Sequence, residues 1–128
     1  MKLPLYKLIS YVEATEEERS AVCNGCGAKD GISVPNTMWG LSIKEACENH
    51  DWMFDKGITW GDFIFSNAIF LYNLTTIIIN GSNFITIMPR LYRAVKYYLA
   101  VVKWGEKAYW INKDKNENKN ITFKGIFV

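Results

Sequence analysis

Apolar residues recur at intervals of three and four along two long segments of the chain, a spacing that predicts helices with one face turned to a core. The first segment follows Thr59, which with an acid three residues later is typical of a helix start, and it ends near Asn80-Gly81. The second begins at Pro89, a residue favoured in the first turn of a helix, and continues to about Trp110. Two long core helices are therefore predicted in the second half of the chain.

Two shorter helices are predicted in the first half. Thr15 precedes three glutamates, which complement the partial positive charge at a helix start, so we expect a helix from 16 to about 23. Ser42 has a glutamate three residues later, the capping-box pattern, and Gly57 is a stop signal. These signals predict a second helix from Ile43 to about Lys56.

The remaining segments carry turn-forming or polar residues. Residues 24–41 are glycine-rich and predict a loop, and residues 112–120 are almost entirely Asn, Lys, Asp and Glu, which predicts a polar loop or linker. Residues 121–128 alternate weakly and suggest a short edge strand. The fold class predicted is mainly α, with residues 1–128 forming a single domain.

Composition narrows the class of protein. The 128 residues are 49% apolar and 15% aromatic, which fits one folded core and excludes disorder. A net charge of +2 gives no reason to expect a nucleic-acid partner. No uninterrupted apolar run reaches about 18 residues, so no transmembrane segment is expected. The amino terminus lacks a signal-peptide pattern, so we expect a cytoplasmic protein, or a secreted or released one if a disulfide forms.

The only histidine, His50, lies on the predicted 43–56 helix and is a candidate general base. A neutral imidazole deprotonates water efficiently when an acceptor holds its far nitrogen and stabilises the charged form. Asp51 lies about 100° round the helix from His50 and cannot be that acceptor. Asp62 begins the next helix, which should pack antiparallel after a short connection, and we expect it to be the acceptor.

Asp51 is then a candidate cation ligand. Calcium takes carboxylate oxygens together with backbone carbonyls, and the glycine-rich loop upstream is suited to presenting such carbonyls. A calcium ion there would polarise an ester carbonyl and stabilise the oxyanion as water attacks. These residues predict calcium-assisted ester hydrolysis.

The cysteines allow a different interpretation. Cys23, Cys26, Cys47 and His50 have the spacing of a structural zinc site, Cys-x2-Cys followed by Cys-x2-His. Zinc bound there would occupy His50 and abolish general-base chemistry. The alternative function is therefore a small zinc-stabilised interaction module without catalysis.

Several motifs together resemble the secreted phospholipase A2 superfamily, particularly its small bacterial and phage-type branch. The resemblance covers roughly residues 23 to 104. It is carried by Cys26-Gly27, by Ala46-Cys47-Glu48-Asn49-His50-Asp51, by Asp62-Phe63-Ile64-Phe65 and by the tyrosine pair in Tyr97-Tyr98-Leu99-Ala100-Val101. It implies two antiparallel central helices, a further long helix and a glycine-rich metal loop.

The resemblance also implies an activity. This activity would be calcium-dependent hydrolysis of the sn-2 ester of a phospholipid, with a phospholipid or membrane surface as the partner. His50 would be the base, Asp62 its partner in the dyad and Asp51 the calcium ligand.

The loop residues receive roles in the same way. The resemblance implies that the carbonyls of Gly25 and Gly27 complete the calcium shell and that a Cys26–Cys47 disulfide joins the loop to the helix. One position departs from the family, which usually has tyrosine four residues after the histidine, whereas this chain has Phe54. That departure leaves a third alternative, a catalytically inactive phospholipase-like binding domain.

Overall fold

The computed structural model describes residues 2–23 and 35–128. Helices make up most of it, which confirms the predicted mainly-α class. The helices are α1 (Ile9–Glu13), α2 (Glu16–Val22), α3 (Lys44–Lys56), α4 (Trp60–Gly81), α5 (Ile87–Trp104) and α6 (Glu106–Trp110). The strands are β1 (Tyr6–Leu8), β2 (Thr37–Met38), β3 (Leu41–Ser42) and β4 (Gly125–Phe127).

Helices α3 and α4 pack antiparallel. Phe54 near the end of α3 lies against Phe63 near the start of α4, with 5.7 Å between the ring centroids. Earlier on α3, His50 lies against Phe70, which is further along α4. The main core cluster joins these two helices to α5 through buried side chains that include Cys47, Leu74 and Ala94.

Helix α4 begins with the predicted capping box. Thr59 Oγ1 accepts a hydrogen bond from the backbone N–H of Asp62, and the Asp62 carboxylate accepts one from the N–H of Thr59. The first turn of a helix still has unsatisfied N–H groups. Here the polar segment after α6 satisfies them, since Trp60 and Gly61 donate to the backbone carbonyls of Asn116 and Asn118. Residues 114–120 thus have no regular structure but are held against α4 by hydrogen bonds.

The short helix α1 and the strands β1, β2 and β3 were not predicted, whereas a strand was expected within 121–128. The structure pairs β1 with β4, antiparallel, with Tyr6 opposite Phe127. Asparagine side chains of the central helices bind the backbone of β1. Asn73 accepts from the N–H of Tyr6 and donates to its carbonyl, each at 2.8 Å, and Asn49 also donates to that carbonyl.

A buried arginine joins the β2–β3 hairpin to the corner between α4 and α5. Arg90 is 8% exposed, and its acceptors among the described residues are all uncharged. These acceptors are the carbonyls of Met38, Trp39 and Gly81 and the hydroxyls of Ser82 and Thr86. The Gly81 carbonyl belongs to the end of α4, where the helix dipole also favours a cation.

The predicted bounds of two helices differ from the structure. The helix expected from Pro89 to about Trp110 begins two residues earlier, at Ile87, and divides at Gly105 into α5 and α6. The helix expected from Ile43 begins at Lys44, and Ser42 accepts only a long hydrogen bond of 3.4 Å from the N–H of Lys44 instead of forming the predicted capping box. Helix α2 ends at Val22, within one residue of its predicted end.

One helix in the described part of the chain, α4, is long and apolar enough to cross a membrane by length and composition. Half of its most apolar stretch is buried inside the protein, as expected for a core helix. The described residues therefore support no clear transmembrane segment.

Candidate functional site

His50 lies in the middle of α3 and is enclosed by aromatic rings. The imidazole is 4.2 Å from the ring of Phe54 and 4.5 Å from the ring of Phe70, measured between centroids. Only 6% of the residue is exposed. The position at which a tyrosine was expected therefore supplies an apolar wall instead of a hydroxyl group.

A single amide holds the far nitrogen of His50. Nε2 of His50 and Oδ1 of Asn67 on α4 are 2.9 Å apart. Because an amide oxygen only accepts, this bond places the proton on Nε2 and the lone pair on Nδ1. Asn67 is 1% exposed, and its Nδ2 has no hydrogen-bond partner among the described residues.

Burial keeps the imidazole neutral. It lowers the pKa of His50 to about 4, and the bond to Asn67 opposes this only in part. An amide carries no charge, so it stabilises the imidazolium form less than a carboxylate would. At neutral pH the site therefore presents an uncharged imidazole of fixed tautomer.

Asp62 does not hold His50, contrary to the prediction. Both of its carboxylate oxygens are used at the start of α4, where they accept from Ile58 N, Thr59 N and both donors of Thr122. Burial raises the pKa of Asp62, but these hydrogen bonds outweigh it and hold the pKa below its usual value. Asp62 is thus an ionised cap rather than the partner of the imidazole.

The register of the two helices explains why Asn67 takes that place. Phe54 lies opposite Phe63, and four residues further from the connection on each helix His50 lies opposite Asn67. Asp62 is more than one turn away from that position. The predicted antiparallel pair limits the candidates to one stretch of α4, and the packing of the aromatic rings sets the register that selects Asn67.

Asp51 is half-buried on α3. The pKa of the Cys23 thiol, at the end of α2, is raised to about 12. Burial is the largest cause, and the negative charge of Asp51 is the next. The other residues predicted for the calcium shell, Gly25 and Gly27, lie outside the described residues. Asp51 is therefore the one member of the predicted shell that the structure describes, and its carboxylate is of the ligand type that calcium takes.

The cysteines bear on both metal hypotheses. Cys23 carries a free thiol whose sulfur donates to the Glu48 carbonyl at 3.2 Å, while Cys47 is buried on α3. Cys26 lies outside the described residues, so the Cys26–Cys47 disulfide stays a prediction. Residues 2–23 and 35–128 contain no group of three or more His, Cys, Asp and Glu side chains placed to hold a metal ion.

The contacts of two proposed zinc ligands are compatible with both metal hypotheses. The Cys23 sulfur donates its proton to the Glu48 carbonyl, so zinc binding there would require that this thiol lose its proton. Nε2 of His50 is engaged by Asn67, which leaves the lone pair on Nδ1 for a proton or for a metal ion. The third proposed ligand, Cys26, lies outside the described residues, so the zinc set stays a prediction, as the base does.

Comparison with known proteins gave no match to a family model, to a curated protein or to a solved structure.

Proposed function

We propose that this chain is a phospholipase A2-like esterase that hydrolyses the sn-2 ester of a phospholipid, with His50 as the base. The observation that carries the proposal is the hydrogen bond from His50 Nε2 to Asn67. It fixes the tautomer in which Nδ1 has the lone pair needed to take a proton from water. The antiparallel α3–α4 pair that holds the two residues is the arrangement that the resemblance implies.

The reaction assigned to the site is attack of water on the ester carbonyl. Nδ1 of His50 accepts the proton of the water as its oxygen bonds to the carbonyl carbon, and the proton then passes to the leaving alcohol. Asn67 positions the imidazole throughout. A calcium ion held by Asp51 with the carbonyls of Gly25 and Gly27, on a loop joined to α3 by Cys26–Cys47, would supply electrostatic stabilisation of the oxyanion.

A second candidate function is favoured by a specific observation, the amide at position 67. With a pKa near 4, His50 is a weak base, and Asn67 cannot neutralise the imidazolium that forms during proton transfer. A phospholipase-like domain that binds lipid without hydrolysing it would tolerate both properties. The two candidates differ in whether His50 matters for turnover.

The deciding experiment is calcium-dependent fatty-acid release from mixed phospholipid vesicles by the purified chain. We expect slow release that is lost in His50→Ala and when calcium is chelated. Asn67→Asp is the informative partner variant, because a carboxylate there would strengthen the base and increase the rate. If neither the unmodified chain nor Asn67→Asp releases fatty acid, the hydrolase proposal fails and the binding domain stands.

A further inference from the structure

A row of exposed apolar side chains runs along the outer side of α5. Its members repeat at intervals of three and four residues, so they form one continuous stripe on the helix. They are between 37% and 68% exposed. The α5 stripe consists of Ile85 in the preceding turn followed by Met88, Tyr92, Val95, Leu99 and Val102.

This stripe is separate from the face that α5 turns to the core. Ala94 is buried in the main core cluster, and Leu91 and Val101 pack against that cluster. In the part of the chain that the structure describes, no element covers the stripe, as its exposure shows. Large contiguous exposed apolar surfaces on a folded protein mark interaction sites.

The charged side chains of α5 itself have one sign. Helix α5 contains no Asp or Glu, while Arg93, Lys96 and Lys103 are exposed on it. Lys96 lies next to the stripe, with its ammonium 4.8 Å from the centre of the Tyr92 ring. Lys103 similarly lies over the ring of Trp104, which is itself exposed.

We propose that the α5 stripe docks onto an anionic phospholipid bilayer. An amphipathic helix that presents apolar and aromatic side chains flanked by lysines lies in the membrane interface, where the apolar groups enter the acyl region and the ammonium groups meet lipid phosphates. Tyr92 and Trp104 suit that boundary, because each ring has an apolar body and a polar edge. The docking surface lies outside the His50 site and does not require catalysis.

Charge also argues against the other occupant that such spacing suits, a second copy of this chain. Two α5 stripes packed together would bring Arg93, Lys96 and Lys103 of both copies close to one another, with no acid on either helix to pair with them. Like charges across an interface are unfavourable. Anionic lipid phosphates instead complement all three cations.

The test is co-sedimentation with phosphatidylcholine vesicles prepared with and without phosphatidylglycerol, in the presence of a calcium chelator. We expect binding to the anionic vesicles alone. Met88→Glu/Leu99→Glu should weaken it at least tenfold, whereas Ile121→Glu, at a side chain of similar exposure outside α5, should leave it unchanged. All three altered side chains are exposed, so circular dichroism should show unchanged folding.

Three further variants separate charge from apolar contact and docking from catalysis. Lys96→Glu should weaken binding to anionic vesicles and Lys124→Glu should not, while His50→Ala should bind as the unmodified chain does.

Equal binding by the α5 variants and their controls, or no binding by the unmodified chain, would overturn the proposal. Self-association in sedimentation velocity that is lost in Met88→Glu/Leu99→Glu, without vesicle binding, would assign the stripe to a second copy. Failure of fatty-acid release alone leaves the docking result unaffected and counts only against the hydrolase.

Discussion

Nε2 of His50 donates a hydrogen bond to the amide oxygen of Asn67 across the α3–α4 interface, at 2.9 Å. This bond fixes the tautomer of a buried imidazole without supplying a charge to stabilise its protonated form. The same α4 helix carries the ionised Asp62 at its start, where the carboxylate is used to cap the helix. Asn67 therefore orients the imidazole, while the carboxylate that was expected both to orient it and to stabilise its charge is engaged elsewhere on α4.

Replacing Asn67 by aspartate should raise the pKa of His50. A carboxylate 2.9 Å from Nε2 favours the imidazolium, opposing the burial that lowers the pKa to about 4 in the unmodified chain. Because the chain has one histidine, a proton NMR titration reports this pKa without ambiguity. Asn118→Asp, on the exposed segment beside α4, is the control and should leave the pKa unchanged. An unaltered His50 pKa in Asn67→Asp would mean that the two side chains do not interact in solution.

Stability should fall as the pH is lowered from about 6.5 towards 4. The pKa of His50 is lowered in the folded protein, so the unfolded chain binds more protons in this window and protonation favours unfolding. A shift of this size corresponds to about 3 kcal/mol once the pH is below both pKa values. Urea denaturation across this pH range measures it. His50→Gln should flatten the dependence, and an equally steep loss of stability in that variant would assign the effect to other groups.

Asp62→Ala should destabilise the protein by about 2–4 kcal/mol, because it removes the helix cap and leaves the buried N–H of Thr59 and the donors of Thr122 without their acceptor. Thermal or urea unfolding measures the loss, with Asp114→Ala on the exposed polar segment as the control. Activity per folded molecule should change little. A loss of turnover by orders of magnitude with unchanged stability would instead restore Asp62 as the partner of His50.

Arg90→Met should cost about 2–4 kcal/mol of folding free energy, since five buried or part-buried acceptors in the β2–β3 hairpin and at the α4–α5 corner would lose the guanidinium donor. Arg93→Met, three residues along the same helix and exposed, is the matched control and should change stability by less than about 0.5 kcal/mol. Equal effects of the two substitutions would show that the Arg90 hydrogen bonds contribute nothing net.

Thiol titration under denaturing, non-reducing conditions should find one reactive thiol, that of Cys23. A Cys26–Cys47 disulfide in the proposed calcium loop would account for the other two cysteines. In the folded protein Cys23 should alkylate slowly at mildly alkaline pH, because its pKa is raised to about 12 and little thiolate is present. Cys23→Ser should abolish the remaining signal. Three titratable thiols in the purified, unreduced protein would exclude the disulfide.

The helix boundaries could largely be read from the sequence because their signals are local. Thr15 and Thr59 cap α2 and α4 as their neighbours predict, and Gly57 follows the last residue of α3, whereas the capping box predicted at Ser42 does not form. The break at Gly105 was missed because periodicity continues across it, from α5 into α6. Strand β1 was missed because the side chains of Asn49 and Asn73, distant in sequence, complete its hydrogen bonds.

The sequence by itself determined that this protein is mainly α and that His50 lies on a helix that stops at Gly57 and is followed by an antiparallel partner. Only the tertiary structure decided which residue faces the imidazole, because the register between two helices depends on how Phe54, Phe63 and Phe70 pack. A pattern at the start of α4 could not show that the carboxylate of Asp62 is used by Thr122, which is 60 residues away. Contacts formed between distant segments decide the charge at the site, and no local signal in the chain encodes them.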